Sequence, residues 1–151
     1  MNFALGVGRQ IIEEYAEPGT IRFVYRHFPV LGPGSFQAGE ATECAAEQGL
    51  FWPYHDGLYV FSSQVGQSAF AIDGLELVAS GVGADMATWT TCMQSDRNLA
   101  RVIQDIAAGE ELGVNSTPTI YINGKRTRNL TSFGDFRGAI DAELERVNAG
   151  S

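Results

Sequence analysis

The hydrophobic period of the chain changes at Gly113, and that change constrains the fold more than any other feature. Between residues 35 and 112 the apolar side chains recur at helical spacing almost without interruption. After Gly113, Thr119-Ile120-Tyr121-Ile122 is a run of β-branched and aromatic residues. It is followed by Asn123-Gly124, the strongest short hairpin signal, with Lys125 to Arg128 as the return strand. A long helical block followed by a hairpin predicts an α/β fold.

The rest of the chain fits around these two pieces. Val7, Ile11, Ile12 and Tyr15 give Phe3 to Ala16 a helical stripe, which Glu17-Pro18-Gly19 ends. Ile21 to His27 reads as a strand stopping at Pro29, and Leu31 to Gly34 as a loop. Ser35 is placed to cap a helix running to about Gln48, with Gly49 as its stop. A helix from Phe51 to Phe61 brings Trp52, Tyr54 and Leu58 to the core, and Ser62 to Ser68 reads as a loop. Three further helices, Asp73 to Ser80, Asp85 to Gln94 and Asp96 to Leu112, each begin on an acidic residue that can cap them. Phe136, Ala139, Ile140, Leu144 and Val147 give Asp135 to Val147 an amphipathic stripe, and this helix closes the chain.

At 151 residues and 44% hydrophobic content, one substantial core is expected. A net charge of -8 argues against nucleic acid and anionic lipid as partners, because both require clustered Lys and Arg. The short run Lys125-Arg126-Thr127-Arg128 reads as a solvated strand or turn edge. No stretch approaches the roughly 18 apolar residues of a membrane span, so no membrane insertion is expected, and the N-terminus lacks the pattern of a signal peptide. Glu13, Glu14, Glu110 and Glu111 read as solvated helix faces, and Asn115-Ser116-Thr117 and Asn129-Leu130-Thr131 as short chance matches to glycosylation sites.

Cys44 and Cys92 are the only cysteines, and neither belongs to a Cys-x-x-Cys. They fit either a long-range disulfide in an oxidising compartment or two buried thiols in a reducing one. With His27 and His55 the only histidines, there is no metal-ligand spacing, and both read as core residues rather than acid-base catalysts.

Three pieces in order carry a family resemblance: Tyr25-Arg26-His27-Phe28-Pro29 after a strand; Glu43-Cys44-Ala45 followed by Phe51-Trp52 and Tyr54-His55; and Gly113-Val114 with Thr117-Pro118-Thr119 before Ile122-Asn123-Gly124. Together they resemble the DsbA-like thiol:disulfide oxidoreductases over nearly the whole chain. The resemblance implies one thioredoxin-like domain, with residues 1–34 and 113–151 as its core and 35–112 as an inserted helical subdomain. It also implies a periplasmic or otherwise extracytoplasmic protein that needs no cofactor or metal and acts on cysteine-containing proteins or peptides. Val114, Thr117 and Pro118 would bind the substrate, with a cis peptide before Pro118. A Cys44–Cys92 structural disulfide would also follow the family.

In that family a strand leads into a Cys-x-x-Cys at the start of the first helix, where helix dipole and amides stabilise the thiolate. Phe3 fits the aromatic position a few residues after that motif, so Met1 falls just beyond it. The resemblance therefore implies that the first β-strand and the catalytic dithiol are missing from these residues, and that the chain is truncated rather than degenerate. The missing strand would leave a gap of about 10 Å between the Ile21 and Thr119 strands, and edges open to self-association or to folding back of the Met1 end. Two rival readings remain. One is a non-catalytic peptide-binding module. The other is a glutathione-dependent isomerase-like relative, for which Met1-Asn2 offers no hydroxyl nucleophile.

Overall fold

The computed structural model describes residues 3–150, so expectations resting on Met1 and Asn2 lie outside the described residues. The chain forms two compact units, one of residues 3–24 with 116–150 and one of residues 25–115.

In the first unit, α1 (Val7–Ile11) runs on into a π-helical turn over Ile12–Ala16. β1 (Tyr121–Ile122) and β2 (Lys125–Arg126) form a two-stranded antiparallel sheet, and α7 (Phe133–Ala149) closes the chain. Asn123 and Gly124 take φ of 46° and 78°, the left-handed pair that a two-residue hairpin demands, and so set Tyr121 opposite Arg126 and Ile122 opposite Lys125. Thr127 continues the pairing by donating its amide to the Ile120 carbonyl at 2.8 Å. Val7, Ile11, Tyr15, Phe136 and Ile140 form the core, with Phe3, Phe23 and Ile120 packed on it. The Tyr15 hydroxyl donates to Asp141 Oδ1 at 2.6 Å; burial and this neighbouring carboxylate push the phenol up to about 12. α7 starts on a reciprocal cap: the Asp135 amide donates to Ser132 Oγ, and the Asp135 carboxylate accepts the amides of Thr131 and Ser132, which hold its pKa down at about 2.

The segment expected as a strand over Ile21 to His27 belongs to no sheet. Its side chains still alternate, with Arg22, Val24 and Arg26 exposed and Ile21, Phe23, Tyr25 and His27 half-buried or buried. Side-chain alternation needs only a core on one face; a ladder needs a second backbone at about 4.8 Å, and β1 and β2 are the only strands among the described residues.

The second unit consists of α2 (Pro33–Ala46), α3 (Phe51–Val65), a 3-10 turn (Gly66–Phe70), α4 (Ile72–Gly81), α5 (Met86–Gln94) and α6 (Leu99–Glu111). Cys44 of α2 is disulfide-bonded to Cys92 of α5. Around that bond Ala41, Ala45, Tyr54, Leu75, Ala79 and Trp89 are fully buried. The unit begins at Tyr25, ten residues before the insertion expected from 35, because Tyr25, His27 and Phe28 pack on its helices. Tyr25 meets Phe51 and His55 edge-on at 5.4 and 5.0 Å, and Phe28 lies where a Cβ on Gly109 would stand 2.9 Å from its ring.

Several expected boundaries move. α2 is opened by Gly32, at φ 90°, and by Pro33 at the first helical position, not by Ser35, whose hydroxyl is buried without a partner. α3 runs through the expected loop at Ser62, since the Ser62 and Ser63 hydroxyls donate to the Tyr59 and Val60 carbonyls and need no break in the helix. Asp85 caps α5 by accepting the Thr88 amide, as expected. Asp73 lies inside α4 and does not cap it. Asp96 does not cap α6, which starts at Leu99.

Candidate functional site

The Thr117–Pro118 turn joins the helical unit to the hairpin, and its peptide bond is cis. Thr117 and Pro118 are exposed, and the Thr119 hydroxyl closes the turn by donating to the Ser116 carbonyl at 2.7 Å. Below Pro118 a cavity of about 420 Å³ opens between the start of α1, the end of the hairpin and the start of α7. Phe3, Val7, Ile120, Leu130 and Phe136 supply its apolar lining, and Arg126 also lines it. An exposed turn beside an apolar hollow can receive a side chain of an extended peptide while the backbone at the rim pairs with it. Of the three residues expected to bind substrate, Pro118 lines this cavity. Thr117 precedes it in the exposed turn, whereas Val114 is part of the helical unit, its amide donating to the Gly109 carbonyl at 2.9 Å.

Cys44 and Cys92 are fully buried in their disulfide, so no sulfur of this pair meets a substrate while the unit is folded. Asn98 supports the bond: its side-chain nitrogen lies 3.2 Å from Cys92 Sγ and donates to Glu47 Oε1 at 2.8 Å. That engagement leaves no Asn98 side-chain cap for α6.

A buried polar network in the helical unit was not anticipated from the sequence. His27 Nε2 lies 2.8 Å from Glu43 Oε1, and Arg101 Nε meets the other carboxylate oxygen at 3.2 Å. Asp105 accepts the His27 amide at 3.0 Å and Arg26 Nη1 at 2.8 Å. Both histidines are buried, as the sequence suggests. Burial pushes the His55 imidazole below its ordinary value although Asp56 Oδ1 lies 2.9 Å from Nδ1. The visible clue was the spacing of Glu40, Glu43 and Glu47 along α2 and its C-terminal cap, and of Arg97 and Arg101 four residues apart around the start of α6. No group of three or more His, Cys, Asp or Glu among the described residues could hold a metal ion, and none of their helices is long and apolar enough to cross a membrane.

A family model described as thioredoxin matches residues 1–142. Among curated proteins, the chain is 31% identical over 120 residues to the Na(+)/H(+) antiporter NhaA 3 of Salinispora tropica, covering 78% of this chain and 17% of that one. It is 34% identical over 108 residues to the Na(+)/H(+) antiporter NhaA of Herminiimonas arsenicoxydans, covering 72% and 16%. The chain thus spans less than a fifth of the length of these relatives. Among solved structures, oxidised BdbD from Bacillus subtilis superposes with a TM-score of 0.75 at 19% identity, over 95% of this chain and 79% of that one.

Proposed function

The chain belongs to the thioredoxin family, and from that premise we propose that it is the substrate-binding body of an extracytoplasmic, DsbA-like thiol:disulfide oxidoreductase. The observation that carries the reading is the exposed Thr117–Pro118 turn over the apolar cavity lined by Phe3 and Phe136. The BdbD-like fold and a buried disulfide of the kind found in oxidising compartments support it. The 151 residues contain no Cys-x-x-Cys, so the reading assigns the reactive dithiol to residues preceding Met1.

The exchange proceeds in two balanced steps. A thiolate of the dithiol attacks one sulfur of a substrate disulfide, forming a mixed disulfide and releasing the other substrate sulfur as a thiolate. The second protein thiolate then attacks the mixed disulfide, freeing the substrate dithiol and leaving the protein oxidised. In reverse, the oxidised protein forms a disulfide in the substrate. Pro118 and the cavity would hold the substrate chain extended beside the reacting sulfurs. The antiporter names describe whole proteins of which this chain spans a small part, and ion exchange is not part of the reading.

A second reading is a module that captures extended peptides without redox exchange; the burial of both cysteines in a disulfide favours it. Titration with an unfolded, cysteine-free peptide tests the binding common to both. Saturable changes in the NMR signals of Val7, Ile120 and Leu130 are expected. Changes confined to residues away from the cavity would contradict both readings.

A further inference from the structure

α2 and its C-terminal cap present three carboxylates along one face, Glu40, Glu43 and Glu47, and Arg97 and Arg101 answer two of them. Arg97 Nε donates to Glu47 at 3.0 Å, and Arg101 meets Glu43 at 3.2 Å. Glu40, the third, meets no cation among the described residues. Its side chain accepts the Asn98 backbone amide, but Oε1 is buried with no hydrogen-bond partner, although the residue is only 4% exposed. The negative charge of Asp96 lies close enough to oppose ionisation of Glu40 further.

Glu40 lines a cavity of about 620 Å³ between the first turns of α2 and α6. Pro33, Phe36, Leu99 and Ile103 form its apolar walls, and its charged lining is Glu40 and Asp96 alone among the described residues. Ile103 is 51% exposed, and Val30 and Leu31, which lead into Gly32 at the rim, are 51% and 56% exposed. An apolar hollow whose only charges are negative is complementary to a cation on an apolar stem. A buried acceptor without a donor is costly until one arrives. The long aliphatic stems of lysine and arginine cover apolar walls while carrying their charge to a carboxylate. The exposed collar also extends the apolar surface beyond one side chain.

We infer that this cavity receives an arginine or lysine side chain from an extended segment of a partner polypeptide, with the cation seated at Glu40 and flanking apolar residues against Phe36, Leu99 and Ile103. The site lies within the helical unit and does not depend on the dithiol reading, so it can fail or stand separately from that reading.

The test is a titration of the whole chain with the blocked tripeptide leucyl-arginyl-leucine amide, followed through the methyl NMR signals of Leu99 and Ile103. The expected result is a saturable shift at both residues. Replacing arginine by citrulline, its neutral isostere, should weaken binding by about tenfold, as expected for loss of a charge-assisted contact. Glu40→Gln, checked for an unchanged fold by thermal melting, should abolish the preference for arginine over citrulline; should that variant unfold, the two peptides on the unaltered chain decide alone. Equal binding of both peptides, no saturable shift, or a preference that survives Glu40→Gln would overturn the inference. So would shifts that appear on concentrating the protein alone, which would make a second copy the occupant, or an alkylammonium ion binding as tightly as the peptide.

Discussion

The Trp89 indole donates to the Ala41 carbonyl at 3.1 Å, across the same α2–α5 contact that the Cys44–Cys92 disulfide ties together. Both side chains of the disulfide and the indole are fully buried, so one packed interface carries a covalent link, a hydrogen bond and a large aromatic surface. Closing a loop of 48 residues should stabilise the fold by about 4 kcal/mol on the chain-entropy account. Reduction, or Cys44→Ser with Cys92→Ser, should lower the denaturant midpoint accordingly, with Trp89 fluorescence reporting the loss. An unchanged midpoint would show that packing alone holds this interface.

Gly109 is a close-approach glycine, since a Cβ there would stand 2.9 Å from the Phe28 ring. Gly109→Ala should cost about 1–3 kcal/mol by overpacking despite the better helix propensity of alanine. Adding Phe28→Leu should recover part of the loss, because the ring is what the new methyl meets. A double-mutant cycle by chemical denaturation measures the coupling.

The pH dependence divides into two windows. Burial holds the His55 pKa below 6.5 in the folded state, so the unfolded chain takes up its proton first. His55 therefore contributes stability that is fully present above pH 6.5 and is lost as pH falls through the folded value. Glu47, Asp135 and Glu143 are held at about 2, by Arg97, by the α7 cap amides and by Arg146 respectively, and lose their contribution only between about pH 4 and 2. Melting temperatures should decline from about pH 6.5 downward in the unaltered chain, and His55→Phe should flatten the upper window while leaving the acid one.

Ser132→Ala should destabilise α7 by about 1 kcal/mol, because the Asp135 amide loses its acceptor. Hydrogen exchange of the first turn of α7 should accelerate relative to the rest of its unit.

What the sequence disclosed follows a physical line. The Asn123-Gly124 turn was legible because its backbone conformation belongs to few residue types, and the Asp85 cap because its acceptor is three residues from its donor. Ser35 and Asp96 were misleading as caps because Pro33 opened one helix earlier and Asn98 was drawn to the disulfide and Glu47. The alternation of Ile21 to His27 was legible, but whether a ladder forms along it depends on a neighbouring strand. At the candidate site, the cis turn before Pro118 was expected only through the family resemblance, because local residues alone favour an ordinary trans proline, and its cavity joins Phe3 to Phe136 across most of the chain. Glu40 could be seen as one of three spaced carboxylates, but only tertiary packing decides which two receive arginines.

The most direct test of thiol exchange is to express the full reading frame that contains these residues and assay disulfide reduction in a model substrate. The account predicts a Cys-x-x-Cys encoded in frame ahead of Met1 and activity lost when either cysteine is replaced. It also predicts that a variant keeping only the first cysteine traps a mixed disulfide whose peptide crosslinks beside Pro118. A reading frame without such a pair, or turnover indifferent to its loss, would contradict it.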